Sequence, residues 1–379
     1  MVTRSQAGEF RSFFSAVEDA RLQRKQAHLL IDIMFLSVAA TIAGADGPSD
    51  IEDFGVQQLA WLQKFVPLEN GIPSHDTIGR VLALVKPLQF QQAFLDWIAS
   101  FADTSVKEGE PRLVPIDGKT LRGSHGAKGR ESPLHLVSAW ATTQGLTLGQ
   151  VAVDSKSNEI TAIPELLKML ELRGAIVSID AMGCQKEIAK GIVQKEADYV
   201  LAVKDNQPTL MAALETFFEQ RHEQGDFRDY GCRQLSTREG SPRRTVERYY
   251  ALAPLPESMQ HLKKEWPGLK SIGQVITITT CDGEQTSEVR YFISSREPRV
   301  QEFANSVRCH WGIESMHWIL DVVFGEDHSR LRNGAAAENY SFLRKFVISL
   351  LKQDTSKGSL KGKRKRAAWS TDYLESVLF

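Results

Sequence analysis

The chain has 379 residues, 42% of them hydrophobic and 25% charged, with a formal net charge of −1. That size allows two or three domains and a sizeable core, and the composition is ordinary for a soluble globular protein. A near-zero charge neither demands nor excludes a nucleic-acid partner, because acidic sites and basic patches cancel in the sum.

Cys184, Cys232, Cys281 and Cys309 are scattered without a CxxC pair, which argues against a zinc site or a disulfide framework and fits a reducing cytoplasm. The opening MVTRSQAGEFRSFF lacks the apolar stretch of a secretory signal. Leu29 to Ala45 is short for a membrane span and carries Asp32, so it reads as a buried core helix, and no membrane partner is expected.

Amphipathic spacing predicts helices near Phe10–Ala27, Leu29–Gly44, Ile51–Phe65, Asp76–Val85 and Phe90–Phe101, a helical N-terminal domain over residues 1–108. In GIPSHDTIGRVLALV, Pro73 stops the preceding element and Ser74 is the N-cap, while Ile78, Val81, Leu82 and Val85 make an apolar face. A helix pair here suits a helix-turn-helix holding a DNA end, and equally a packed bundle with no DNA contact.

From about Arg112 the pattern turns to short β-rich runs: LVPID, HLVSAWAT, LTLGQVAVD, AIVSID and DYVLAVK. Helix candidates EITAIPELLKMLEL and CQKEIAKGIVQKEA separate the last three. Three strands followed by helix–strand–helix–strand match a ribonuclease-H-like α/β core, its first part spanning residues 109–206, with the first and fourth strands as neighbours. A β-rich insertion is expected over 207–298, containing ERYYALA, QVITITT and SEVRYFISS and a hairpin turn at Cys281-Asp282-Gly283. Helices from about Val300 to Phe324 and Ala335 to Leu351 complete the core over 299–352, and 353–379 reads as a flexible basic tail.

Asp117 and Asp180 each close an apolar strand, where a carboxylate is costly unless a cation or hydrogen-bond donors face it. Glu314 lies on the long helix downstream. Convergence of the three would give an oxygen-ligand site for Mg²⁺, with Mn²⁺ as substitute, suited to phosphoryl transfer. Taken singly, Asp117 is as well explained as a turn residue and Asp180 as a helix cap; their joint occurrence in the right element order favours the metal site. On a helical period His310, Glu314, His317 and Asp321 share a face, while Trp311, Trp318 and Leu320 can reach packing neighbours. Lys119, Arg122, Lys128, Lys204 and Arg308, with His310 and His317, are candidate DNA-phosphate contacts; surface salt bridges and satisfied histidines are the competing readings. The run Lys361 to Arg366 suits nonspecific phosphate binding or a solvated tail.

These residues resemble an insertion-sequence DDE transposase of the H-repeat-associated type linked to Rhs elements. The likeness runs through IEDFG, GIPSHDTIGRV, PIDGKTLRGS, HLVSAWA, KSNEITAIPELL, SIDAMGCQ, DYVLAVKDNQ and HWGIESMHWILDVVFGEDHSR, most of residues 50–350. It implies a ribonuclease-H-like core interrupted by a β-rich insertion, with Asp117, Asp180 and Glu314 as the acidic triad. It further implies Mg²⁺-dependent cleavage at the ends of a mobile element and strand transfer into target DNA. Related transposases carry a Tyr/Arg/Glu/Lys signature around the third carboxylate; Val307, His310 and Asp321 stand at the Tyr, Arg and Lys places here. Asp321, Glu326 and Asp327 are reserve candidates for the third ligand. The expected partners are terminal inverted repeats and target DNA, bound by a dimer in the cytoplasm at the nucleoid. The rivals are a nuclease or resolvase that cuts without joining, and an inactive DNA-binding remnant.

Overall fold

The structure is a computed structural model describing residues 10–22, 26–101, 111–125, 132–153, 158–229, 231–241 and 243–379. Beyond the helical residues 10–14, the described residues before the first strand form α1 (Leu30–Ile42), α2 (Pro48–Leu62), α3 (His75–Leu84) and α4 (Pro87–Ala99). Pro48 and Pro87 open α2 and α4, where a missing N–H costs nothing. Ser74 caps α3 by accepting from the Thr77 amide, and Ile78, Val81 and Leu82 are its buried face. The apolar run before Gly44 is the core helix α1, buried from Asp32 to Ile42, with the Leu68 amide donating to Asp32 at 3.2 Å. The helix expected over Phe10–Ala27 is shorter: helical structure ends at residue 14 and turns follow. Its first turn alone carries the packing aromatics, Phe10 and Phe14, which stack together and meet Trp97 edge-on.

Strands β1 (Leu113–Leu121), β2 (Leu134–Ala141), β3 (Leu146–Val153), β4 (Ile176–Ile179) and β5 (Asp198–Val203) form where the β-branched and leucine runs stand. Helices α5 (Glu159–Met169) and α6 (Lys186–Gln194) join the last three, and α7 (Pro208–Gln224) follows β5. β1 runs antiparallel to β2 and parallel to β4, making the first and fourth strands neighbours as expected.

The expected β-rich insertion holds four strands, β6 (Arg233–Ser241), β7 (Arg244–Pro254), β8 (Ser271–Cys281) and β9 (Glu284–Ser294). They extend the same sheet, since β9 pairs antiparallel with β5, and the nine strands run β3-β2-β1-β4-β5-β9-β8-β7-β6. Cys281 faces Glu284 across the two-residue turn Asp282-Gly283, whose φ angles of 49° and 91° are those a tight hairpin between twisted strands requires.

Two helices complete the mixed α/β fold: α8 (Val300–Val322), lying across β1 and β4, and α9 (Ala336–Gln353). Strand alternation divides the packing. Val114, Ile116, Val177 and Ile179 face α5 and α6 in one core, while Leu113 and Ile176 face Phe303 and Val307 of α8 in another. The N-terminal helices share a third core with Trp140, α9 and the C-terminus.

The segment after 353 is not a flexible tail. It forms α10 (Leu360–Trp369) and α11 (Thr371–Leu378), with Leu374, Val377 and Leu378 buried in the same core as α1. Lys363 and Arg364 of its basic run are buried. Their charges are met internally: Lys363 donates to the Leu351 carbonyl at 3.0 Å, and Arg364 stacks on Phe324 at 4.1 Å and pairs with Asp46 at 3.1 Å.

Candidate active site

Ile116 pairs with Ile179 across parallel β1 and β4, so the next residue of each strand, Asp117 and Asp180, leaves the sheet beside the other. By alternation Asp117 shares the face of Leu113, toward α8. His317 of α8 confirms the direction, its Nδ1 lying 3.4 Å from Asp117 Oδ2. Two residues before Asp180, on the face turned to α8, Ser178 Oγ is hydrogen-bonded to His310 Nδ1 at 3.2 Å. Glu314 lies between these histidines, one helical turn from each, and is exposed. It lines a cleft shared with Asp180, His310, Lys204, Arg290 and Trp311.

The two aspartates titrate in opposite directions. Burial works to raise the Asp117 carboxyl, but the hydrogen bond and charge of His317, with the charge of His310, outweigh it and hold the group below its ordinary value. Burial raises Asp180, the Gly183 amide only partly offsets this, and the negative charges of Asp117 and Glu159 push the same way. A buried carboxylate repelled by neighbouring carboxylates gains most from an added cation.

Asp117, Asp180 and Glu314 are all oxygen donors, the ligand chemistry of Mg²⁺ and Mn²⁺. Among the described residues no three His, Cys, Asp or Glu side chains are gathered closely enough to enclose an ion. Asp117 and Asp180, following paired residues of adjacent strands, offer the oxygen chemistry of a divalent cation, and water and phosphate oxygens would have to supply its other positions.

The expected DNA contacts divide. Lys204 lies exposed at the cleft, and Arg122, 80% exposed, has its Nε 3.6 Å from Asp327 Oδ2. Arg308 is paired with Glu239 of β6. Lys119 is a correction: it is buried, and its ammonium lies 2.6 Å from Asp321, 3.6 Å from Asp327 and 3.7 Å from Glu326. It faces inward because the end of α8 and the following turn bring three acidic residues over β1. Asp321, Glu326 and Asp327, the reserve ligands, thus lie around the Lys119 ammonium. His317 faces Asp117 with its Nε2 buried, so it is closed to a phosphate as well. Trp311 and Leu320 find neighbours, Trp311 lying 4.3 Å beneath Arg248 of β7, whereas Trp318 is 61% exposed. Lys128 lies outside the described residues.

Sequence reasoning passed over Glu159 and His135. Glu159 follows the α5 N-cap Asn158, and its Oε1 lies 2.6 Å from His135 Nε2 of β2. Within KSNEITAIPELL it looked like an acidic first-turn residue, and only its place beside the run holding Asp117 marks it.

Known proteins share this arrangement of segments. Residues 108–350 match the Transposase DDE domain model, and residues 11–98 match the DDE_Tnp_1-associated model. The chain belongs to the DDE transposase family. It is 42% identical to the putative transposase YncI of Escherichia coli O157:H7, over 97% of this chain and 93% of that protein. It is 39% identical to the H repeat-associated putative transposase YhhI of Escherichia coli strain K12, over 96% of each. The H-repeat-associated resemblance thus extends along nearly the whole transposase chain. A piggyBac transposase synaptic complex with hairpin DNA aligns at a TM-score of 0.41 and 11% identity, over 99% of this chain and 78% of that one, too loose a likeness to define the fold. No helix among the described residues of this transposase is long and apolar enough to cross a membrane.

Proposed function

We propose that this transposase cuts DNA at the ends of its own mobile element and joins them to target DNA, with Asp117, Asp180 and Glu314 as the acidic triad of a ribonuclease-H-like core. The observation that carries the reading is the parallel pairing of Ile116 with Ile179, which sets two aspartates side by side beneath the helix bearing Glu314. The β3-β2-β1-β4-β5 order supports the core assignment, with the other four strands as an insertion at its edge.

Asp117 and Asp180 would hold a divalent cation, Mg²⁺ or in its place Mn²⁺, and Glu314 would close on it from α8. When bound, such an ion neutralises charge on the phosphodiester and favours an attacking oxygen at neutral pH. His317 orients Asp117 and keeps it ionised. His310, anchored on Ser178, Lys204 and Arg122 present donors and charge where a DNA strand would lie. Cleavage frees a 3′-hydroxyl, which attacks target DNA in the second step without a covalent protein–DNA intermediate. The N-terminal helices and the β6–β9 sheet would hold the ends, and a dimer would bring two ends together in the cytoplasm.

The test is the purified chain with Mg²⁺ and DNA carrying the inverted repeats that flank its reading frame. Wild type is expected to yield joined donor–target molecules. Asp117→Asn, Asp180→Asn and Glu314→Gln are each expected to bind DNA yet not cut it, because holding an ion and gripping phosphates are separate tasks. Equal cutting by all three variants overturns the site. Cutting without joined products makes the protein a nuclease, and no cutting by wild type makes it an inactive remnant, the state named for the transposase YbfQ of Escherichia coli strain K12, 48% identical over 69 residues.

A further inference from the structure

The helical turn divides the basic run of α10 in two. Lys363, Arg364 and Ala367 point inward and are buried, while Lys361 and Lys365 are exposed. Residues four apart lie on one side of a helix, and Trp369 is the next in that row. At 77% exposure it is the barest large apolar side chain among the described residues, so the core does not account for it. The helix, LKGKRKRAAW, holds no acidic residue.

The outer row is uncompensated and its backbone is fixed. Among the described residues the ion pairs of this segment are Lys363 with Asp354 at 3.4 Å and Arg364 with Asp46 at 3.1 Å, and none involves Lys357, Lys361 or Lys365. Lys357 is exposed in the turn before α10. Arg366 holds that turn to the helix, donating to the Lys357 carbonyl at 2.9 Å while it stacks on Tyr373 at 4.6 Å. The buried half of the run is the anchor: Lys363 donates to the Leu351 carbonyl, and Arg364 to the Val323 carbonyl at the end of α8. Three ammoniums and an indole are thus carried on a surface set before anything binds. Clustered cations of one sign repel each other, and a polyanion that sheds its own counterions onto solvent relieves that repulsion.

Val323 lies roughly 14 Å beyond Glu314 along α8. The exposed edge of that helix runs from Glu314 through Trp318 to Val322, and α10 is docked where the edge ends. We propose that α10 is a DNA-contact helix, with Lys361, Lys365 and Trp369, and Lys357 beside them, taking the sugar–phosphate backbone of a duplex. The inference rests on the proposed function in having DNA as the partner, and it adds a surface outside the triad cleft. The ammoniums meet phosphates without reading sequence, and the flat indole lies against sugars and bases.

Fluorescence anisotropy of a labelled duplex of arbitrary sequence, titrated with the full chain in the absence of Mg²⁺, reads binding apart from cutting. Lys361→Ala combined with Lys365→Ala should weaken binding about tenfold or more at about 0.1 M salt. It should also lower the slope of log affinity against log salt by about 1.8, since each lost phosphate contact removes about 0.9. Trp369→Ala should weaken binding about fivefold and leave the slope unchanged. Lys168→Ala combined with Lys190→Ala removes two exposed lysines that pair with acids on their own helices, α5 and α6, and should bind as wild type does. Every side chain changed is exposed, so thermal melts should match wild type. If the Lys361/Lys365 variant keeps wild-type affinity and slope, or Trp369→Ala keeps wild-type affinity, α10 is not a DNA contact and the proposed function stands. If wild type binds no duplex, the proposed function fails and this inference with it. Wild-type binding to vesicles of anionic lipid that the lysine variant loses, with its DNA affinity intact, would make the face a membrane contact and overturn the inference.

Discussion

The ammonium of Lys119 lies 2.6 Å from the carboxylate of Asp321, tying β1 two residues beyond Asp117 to α8 seven residues beyond Glu314. Across this link the strand and the helix that carry Asp117 and Glu314, two of the three acids proposed as the triad, are held in fixed register. Glu326, 1% exposed, depends on the same ammonium and on Arg344, whose Nη1 is 3.8 Å away. Lys119→Met would leave Glu326 buried with a weakened counter-charge and take the ammonium from Asp321, while Asp327 would keep Arg122 at 3.6 Å. Removing one member of a buried pair costs about 3 kcal/mol or more. Urea unfolding should show a loss of that order; an unchanged midpoint would mean that the cluster is not a clamp.

Gly312 is the second contact that seats α8. A β-carbon there would stand 2.5 Å from Thr142 Cγ2, and Thr142 in turn donates to the Cys309 carbonyl at 3.1 Å. Gly312→Ala must push the helix from the β2–β3 turn, two residues before Glu314. Overpacking of this kind costs about 1–3 kcal/mol. Because the displacement falls at the triad, DNA cleavage should drop more than DNA binding. Matching losses in both, or in neither, would count against α8 as the element that sets Glu314.

Much of this organisation can be read from residues alone, for identifiable reasons. Strands β1 to β5 announce themselves because each buries at least one face, and buried faces select Val, Ile and Leu. Asp282-Gly283 and Ser74 are legible because turns and caps need particular side chains. Strand β6, RQLSTREGS, escapes notice because it is the outer edge of the sheet and largely exposed, so no alternation is imposed on it. Lys119 reads as a surface cation until folding brings Asp321 and Glu326 from two hundred residues away. The Glu159–His135 pair is invisible for the same reason, since neither residue type nor spacing records a meeting of β2 with the start of α5.

The C-terminal basic run makes a contrary prediction about DNA. Arg364 spends its guanidinium on Phe324, Asp46 and the Val323 carbonyl that ends α8. Arg364→Ala should therefore destabilise the fold by about 1.5–3 kcal/mol, the range for hydrogen bonds made by a charged group. The salt dependence of DNA affinity should not change, because a buried cation releases no counterions when DNA binds. A shallower slope of log affinity against log salt in this variant would restore Arg364 to the DNA interface.

Asp354 should make the docking of that segment acid-sensitive. Burial works to raise its carboxyl, but the Ser356 and Tyr373 hydroxyls, the Ser356 amide and the Lys363 charge outweigh it and hold the group down at about 2, below its ordinary 3.8. A carboxyl depressed in the folded state contributes stability in full above its unfolded value and loses it as pH falls through the folded one. The window is thus from about pH 4 down to about pH 2. Asp354→Asn keeps the shape and removes the charge, so it should be less stable than wild type near pH 6, with the gap closing as pH falls toward 2. Urea midpoints of the two proteins at pH 6, 4 and 2.5 measure the gap, and subtracting one from the other cancels every other carboxylate. A gap that stays constant with pH would show that Asp354 is held by shape alone, and that the ionised carboxylate does not fasten α10 and α11 to the core.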